Sequence, residues 1–94
     1  MKIAICEDKQ QDYDTLLSMI INFLDEHNMK ADISSFTCGE DFINAHIHNP
    51  YDIVFMDIEF GDTIGFQVAR RLSMQDSQLA VVYMTNYEHY ITEA

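Results

Sequence analysis

The chain predicts an α/β fold built on one parallel sheet, and three observations carry that expectation. Short apolar runs alternate with stretches of helical period along the whole sequence. The order is strand-helix three times, then a fourth strand and the start of another helix, the pattern of parallel strands joined by right-handed crossovers. Two of the apolar runs end directly in carboxylates, at Glu7-Asp8 and at Asp57. Ninety-four residues without a linker, repeat or low-complexity tract make a single domain, residues 1–94.

The elements follow in order. Lys2–Cys6 reads as a short buried strand. Gln11 to about His27 reads as a helix, because Tyr13, Leu16, Leu17, Ile20 and Leu24 form one wide apolar stripe. Asp12 and Asp14 near its start suit the positive end of the helix dipole. Ala31–Phe36 is a second strand with a weaker pattern, Ile33 and Ser35 on one face and Asp32 on the other. Gly39-Glu40-Asp41 opens a short helix to about His46, and Pro50 closes the connection to a third strand, Asp52–Met56. A loop over Asp57–Ile64 leads to a helix from Gly65 to about Met74, with Phe66, Ala69 and Leu72 as its buried positions. Leu79–Met84 is continuously apolar, as expected of a strand covered on both faces. Tyr87–Ala94 starts a last helix, and with no glycine or proline stop signal the chain reads as cut short within an element.

Composition excludes several classes of function. Sixteen Asp and Glu against five Lys and Arg leave a net charge of −11, and only Arg70 and Arg71 are adjacent cations. A nucleic-acid face needs clustered basic residues, so no direct nucleic-acid binding is expected of this chain. No apolar run approaches the roughly 18 residues of a membrane span, and the apolar start is too short for a signal peptide. Cys6 and Cys38 show no CxxC spacing, and a reduced cytoplasmic setting fits them. The four histidines, His27, His46, His48 and His89, make no metal-ligand pattern and are expected on the surface. The six methionines are read as gap-fillers of the core.

The carboxylates carry the chemistry. Asp57 ends the phrase "YDIVFMD", and Glu7-Asp8 ends "MKIAICED". Open α/β sheets keep their ligand crevice at the carboxyl ends of the strands. If the first and third strands are parallel neighbours, three anions meet at one edge. Such a cluster serves a hard divalent cation, and Mg²⁺ is the first choice. Taken singly, each acid has a plainer reading as a helix cap or a solvated loop residue. Thr85, directly after the fourth strand, would alone be an ordinary loop threonine.

Together, Glu7-Asp8, Asp57, Gly65 and Thr85 make a set that resembles the receiver domain of bacterial two-component response regulators. The phrases "IAICED", "YDIVFMDIEFGDTIGFQVARRL" and "LAVVYMTNYEHYITEA" look most like receivers that precede LytTR-type DNA-binding domains. The resemblance implies a flavodoxin-like doubly wound sheet of order 2-1-3-4. It implies that Asp57 is the phosphoacceptor toward a phosphohistidine of a sensor histidine kinase. It makes Asp8 a direct Mg²⁺ ligand, Glu7 its water-mediated partner, and Glu59 the donor of a backbone carbonyl to the metal. The Glu59 side chain then bears on how fast the phosphoryl group hydrolyses. Thr85 becomes the hydroxyl that swings toward the phosphoryl group, and Gly65 closes the loop after the phosphoacceptor. Such a chain is a switch that phosphorylates itself, not an enzyme acting on others.

Two departures from the pattern stand out. The loop Phe60-Gly61-Asp62-Thr63-Ile64 has glycine where the family usually has proline. The family's fifth strand, its phosphoryl-contacting lysine and its fifth helix would fall beyond Ala94, and Lys2, Lys9 and Lys30 all precede the fourth strand. The output domain would lie further on. Two other readings compete. Asp57-Ile58-Glu59 resembles, faintly, the paired acids of haloacid-dehalogenase-type phosphatases, although that family has Asp at the second position and a longer chain. A non-catalytic interaction module is the other, with an uncovered fourth strand prone to form a homodimer or swapped dimer.

Overall fold

The computed structural model describes residues 1–58, 65–76 and 78–84. The strands are β1 (Lys2–Cys6), β2 (Asp32–Phe36), β3 (Ile53–Asp57) and β4 (Ala80–Met84). The helices between them are α1 (Gln10–Glu26), α2 (Gly39–His48) and α3 (Gly65–Gln75). The expected helix over 87–94 lies outside the described residues. All pairings are parallel, in the order β2-β1-β3-β4. The boundaries differ from the sequence reading by one or two residues at most ends. One shift matters, since β3 runs through Asp57, where Asp57 pairs with Met84 of β4.

Two apolar layers flank the sheet because alternate strand residues point to opposite faces. Ile3 and Ile5 of β1 pack with Ile20 and Leu24 of α1, joined by Tyr13, Leu16, Leu17 and Ile33. Ala4 and Cys6 face the other way and share a core with Val54, Met56, Phe42, Val68 and Leu72. The α1 stripe is therefore as expected, and so is Leu72 on α3. The side chains of Phe66 and Ala69 lie outside the description, and Val68 is a buried position the sequence reading did not single out.

The helix ends have local causes. Asn28 takes the left-handed conformation, φ 52°, just past α1. Its N–H donates to the Asp25 carbonyl at 3.2 Å, and the Met29 N–H donates to the Leu24 carbonyl at 2.8 Å. This is a Schellman closure with asparagine in the place glycine usually takes. An alanine there meets the Cβ clash that asparagine offsets locally. Asn28→Ala is expected to cost about 1 kcal/mol, read as a melting temperature lower by about 4–8 °C; an unchanged midpoint would count against this role. At α2, Asn49 is extended, as the residue before Pro50 must be.

Three expectations are corrected. His46 is not on the surface; it is only 5% exposed, enclosed by Phe42, Tyr51 and Asp76. His27 and His48 are exposed, as expected, and His89 lies outside the described residues. The methionines do not fill the core as a group: Met56 does, but Met1, Met19, Met29 and Met74 are exposed. And β4 is not covered on both faces, since Val82 and Tyr83 are 42% and 47% exposed. Among the described residues β4 pairs only with β3, which leaves it at the sheet margin.

Candidate metal centre

The topology brings the two acidic phrases together. β1 and β3 are parallel neighbours with Cys6 level with Met56, so Glu7 and Asp57 emerge side by side at the carboxyl edge. The order reverses here, since β1 leads outward to β2 and β3 outward to β4. This is the topological switch point at which open α/β sheets form their ligand crevice. Carboxylate oxygens of Glu7, Asp8 and Asp57 all lie within 4.8 Å of one another.

The three acids sit in different surroundings. Glu7 is 6% exposed, Asp57 is half-buried and Asp8 is exposed. The Glu7 main chain is pinned by donation from its N–H to the Phe36 carbonyl of β2 at 3.3 Å. Its carboxylate accepts the Lys9 N–H at 3.0 Å. Burial is the largest influence on Glu7 and raises its pKa. The Lys9 N–H opposes that shift, while the charges of Asp57 and Asp12 and a hydrogen bond with Asp8 reinforce it. Asp12 is a contributor the sequence reading had placed only at the helix dipole. The signal was present, because the first turn of a helix entered directly from the acidic loop must stand near that loop. The Ile58 N–H donates to the Met84 carbonyl at 3.0 Å, which carries the β3–β4 pairing one step past Asp57.

Three carboxylates at this spacing repel one another. Each ionised pair at 4.8 Å costs from about 1 kcal/mol in water to about 3.5 kcal/mol at an effective dielectric of 20. The donors are all oxygens, one buried and one open to solvent, which fits a hard divalent ion such as Mg²⁺ that keeps part of its water shell. Of the other sequence-predicted site residues, Gly65 opens α3 as expected, while Glu59 and Thr85 lie outside the described residues.

The raised Glu7 pKa has a consequence for stability. The folded chain holds that proton more tightly than the unfolded chain, so the stability it contributes is present at low pH and fades as pH rises through the folded pKa. Glu7→Gln removes one anion from the cluster. The metal-free variant is expected to melt higher than the unaltered chain at pH 7 and to lose that advantage below pH 4. The same substitution should abolish the rise in melting temperature produced by Mg²⁺. Equal melting of the two proteins at pH 7 without metal would refute the electrostatic reading of the cluster.

A parallel sheet of order 2-1-3-4, with an acidic trio at its switch point, defines a flavodoxin-like domain with a carboxylate pocket at its carboxyl edge. The response regulator receiver domain profile matches residues 3–94, and the chain belongs to that family. It is 30% identical over 95 residues to the sensory transduction protein LytT of Bacillus anthracis, and 29% identical over 97 residues to the sensory transduction protein LytR of Streptococcus agalactiae. Each alignment covers the whole of this chain but 37% of the relative, so the chain spans little more than a third of their length. Among solved structures, the receiver domain of a modulated diguanylate cyclase from Desulfovibrio desulfuricans superposes with a TM-score of 0.70 at 22% identity, covering 98% of this chain and 72% of that one. A mutant MaeR response regulator bound to sulfate superposes with a TM-score of 0.68 at 20% identity, covering 89% and 66%. These structures establish the fold. The family is a signalling module of two-component systems, and receiver domains generally bind Mg²⁺ at an acidic pocket. None of these matches favours the phosphatase reading.

Proposed function

We propose that this chain is a phosphorylation-dependent switch in which Asp57 accepts a phosphoryl group from a phosphohistidine on a sensor histidine kinase. The observation that carries this is the meeting of Glu7, Asp8 and Asp57 within 4.8 Å at the switch point of a receiver-domain sheet. An Asp57 carboxylate oxygen bonds to phosphorus in line with the departing imidazole nitrogen. The P–N bond breaks, and the imidazole leaves with its electron pair and picks up a proton. Glu7, Asp8 and Asp57, with the Glu59 backbone carbonyl, are the groups that would hold Mg²⁺. When bound, Mg²⁺ offsets the repulsion between the incoming phosphoryl oxygens and the carboxylates. The chain positions Asp57 by the β3–β4 ladder and Glu7 by its bonds to Phe36 and Lys9, and such positioning is most of what phosphoryl transfer asks of a protein. Thr85 directly follows Met84, the partner of Asp57, and supplies the hydroxyl that responds to the added charge.

The reaction is self-modification in the cytoplasm, a compartment consistent with two free cysteines. Among the described residues no helix is long and apolar enough to cross a membrane. The length of the relatives supports a longer parent in which sequence beyond Ala94 supplies a fifth strand and helix and then a DNA-binding output domain. The test is intact-protein mass after incubation with a small acyl phosphate, with and without Mg²⁺, beside Asp57→Ala.

The exposure of Val82 and Tyr83 on marginal β4 favours one addition, self-association of the 94-residue chain as a homodimer or swapped dimer. Sedimentation velocity should show a species heavier than the monomer growing with concentration. A clean monomer throughout would remove the dimer from the proposal.

A further inference from the structure

His46 stands apart from the acidic site, at the opposite edge of the sheet, where α2 turns into β3 and α3 turns into β4. The Tyr51 N–H donates to His46 Nδ1 at 3.0 Å, so Nδ1 presents its lone pair. The ring proton of the neutral imidazole is then on Nε2, which donates to Asp76 Oδ2 at 2.9 Å. The other Asp76 oxygen accepts the Gln78 N–H at 2.9 Å, within the α3–β4 turn. One side chain on α2 thus holds both turns. The opposite tautomer would set a ring N–H against the Tyr51 N–H and a lone pair against the Asp76 carboxylate. Both ends would lose their bonds together, in a site where buried polar groups are costly to leave unpaired.

We propose that His46 is a tautomer-locked clamp that couples the α2–β3 turn to the α3–β4 turn and releases the first of them when the ring takes a second proton. Among the described residues, the groups facing the ring are Asp76, Tyr51 and Phe42. Asp76 faces Nε2 from the α3–β4 turn, and its carboxyl is held below the usual range by the Gln78 N–H and then by His46, so it stays an anion as the ring titrates. Tyr51 stacks its ring against His46 with centroids 6.4 Å apart, Phe42 lies at 5.8 Å on α2 itself, and the Lys2 ammonium of β1 sits over the Tyr51 ring at 4.7 Å. A second proton on Nδ1 faces the Tyr51 N–H, donor against donor, while the Asp76 bond is strengthened by charge. Acid therefore opens one arm of the clamp and keeps the other. The device is independent of phosphoryl transfer, because none of its residues belongs to the acidic trio.

The test is nitrogen NMR of the imidazole rings in the ¹⁵N-labelled protein, with amide exchange followed at Tyr51. A neutral His46 protonated on Nε2 alone is expected, and a ring averaging over both tautomers would overturn the lock. On acidification the Tyr51 amide resonance should move together with the His46 nitrogens; a Tyr51 amide indifferent to that titration would overturn the release. Asp76→Ala should raise amide exchange at Tyr51, to which Asp76 is linked through the His46 ring, roughly fivefold, and Asp76→Asn, which keeps an acceptor, should restore most of the protection. Unchanged Tyr51 exchange in Asp76→Ala would refute the coupling. If that variant fails to fold, the ring measurements on the unaltered protein decide alone.

Discussion

Replacing Asp57 with alanine is expected to abolish the phosphoryl adduct completely. The unaltered chain, incubated with a small acyl phosphate and Mg²⁺, should gain the mass of one phosphoryl group. Asp57 is the half-buried member of the trio, at the end of β3, where its main chain is paired with Met84 at the crevice. Glu7 is held back by burial and by its bond to the Lys9 N–H, and Asp8 is solvated. Neither is placed to replace Asp57 as nucleophile. Omitting Mg²⁺ should slow adduct formation on the order of 10²-fold, the scale of losing one preorganised electrostatic partner in a phosphoryl or acyl transfer. An adduct of equal yield on Asp57→Ala would end the proposal. No adduct on a folded, unaltered chain would instead place an essential group, such as the family's lysine, beyond Ala94.

Phe42→Ala should be the most damaging change to the fold. Phe42 is fully buried where α2 meets the sheet, in tilted contact with Phe36, His46 and Tyr51 at centroid distances of 5.5–5.8 Å. Removing a buried phenyl group costs about 3–5 kcal/mol, the lost transfer energy plus the cavity left behind. A domain of this size has a total of only about 5–14 kcal/mol. The loss is thus at least about a fifth of the total, and the variant should unfold at far lower urea than the unaltered chain. Far-UV circular dichroism during urea titration would measure it, and a loss under about 1 kcal/mol would show that the aromatic cluster is not a main support of the core.

Much of this protein could be read from its residues in order. Strand and helix are local choices governed by periods of 2 and 3.6, and the runs at Lys2–Cys6 and Asp52–Met56 and the stripe on α1 are long and regular enough to declare themselves. The acidic trio was legible for a related reason. Carboxylates placed directly after buried strands must project from the same edge of a parallel sheet, once β1 and β3 are neighbours.

Other features depend on which surfaces meet, and local period carries no record of that. His46 looked like a surface residue because helix α2 alone does not bury it; Tyr51 and Asp76, five and thirty residues further on, close around it. The apolar run of β4 promised a covered strand, yet covering depends on which segments pack against it, and Val82 and Tyr83 remain exposed. Four methionines read as core lie outside it, because a flexible, unbranched side chain is tolerated at the surface as well as in the core. By itself the sequence determined the elements, their order and the edge at which the acids gather. The tertiary structure alone decided how deeply Glu7 is buried, that Asp12 acts on it, and that a histidine joins two turns, because desolvation and hydrogen-bond partnership arise only when distant segments pack.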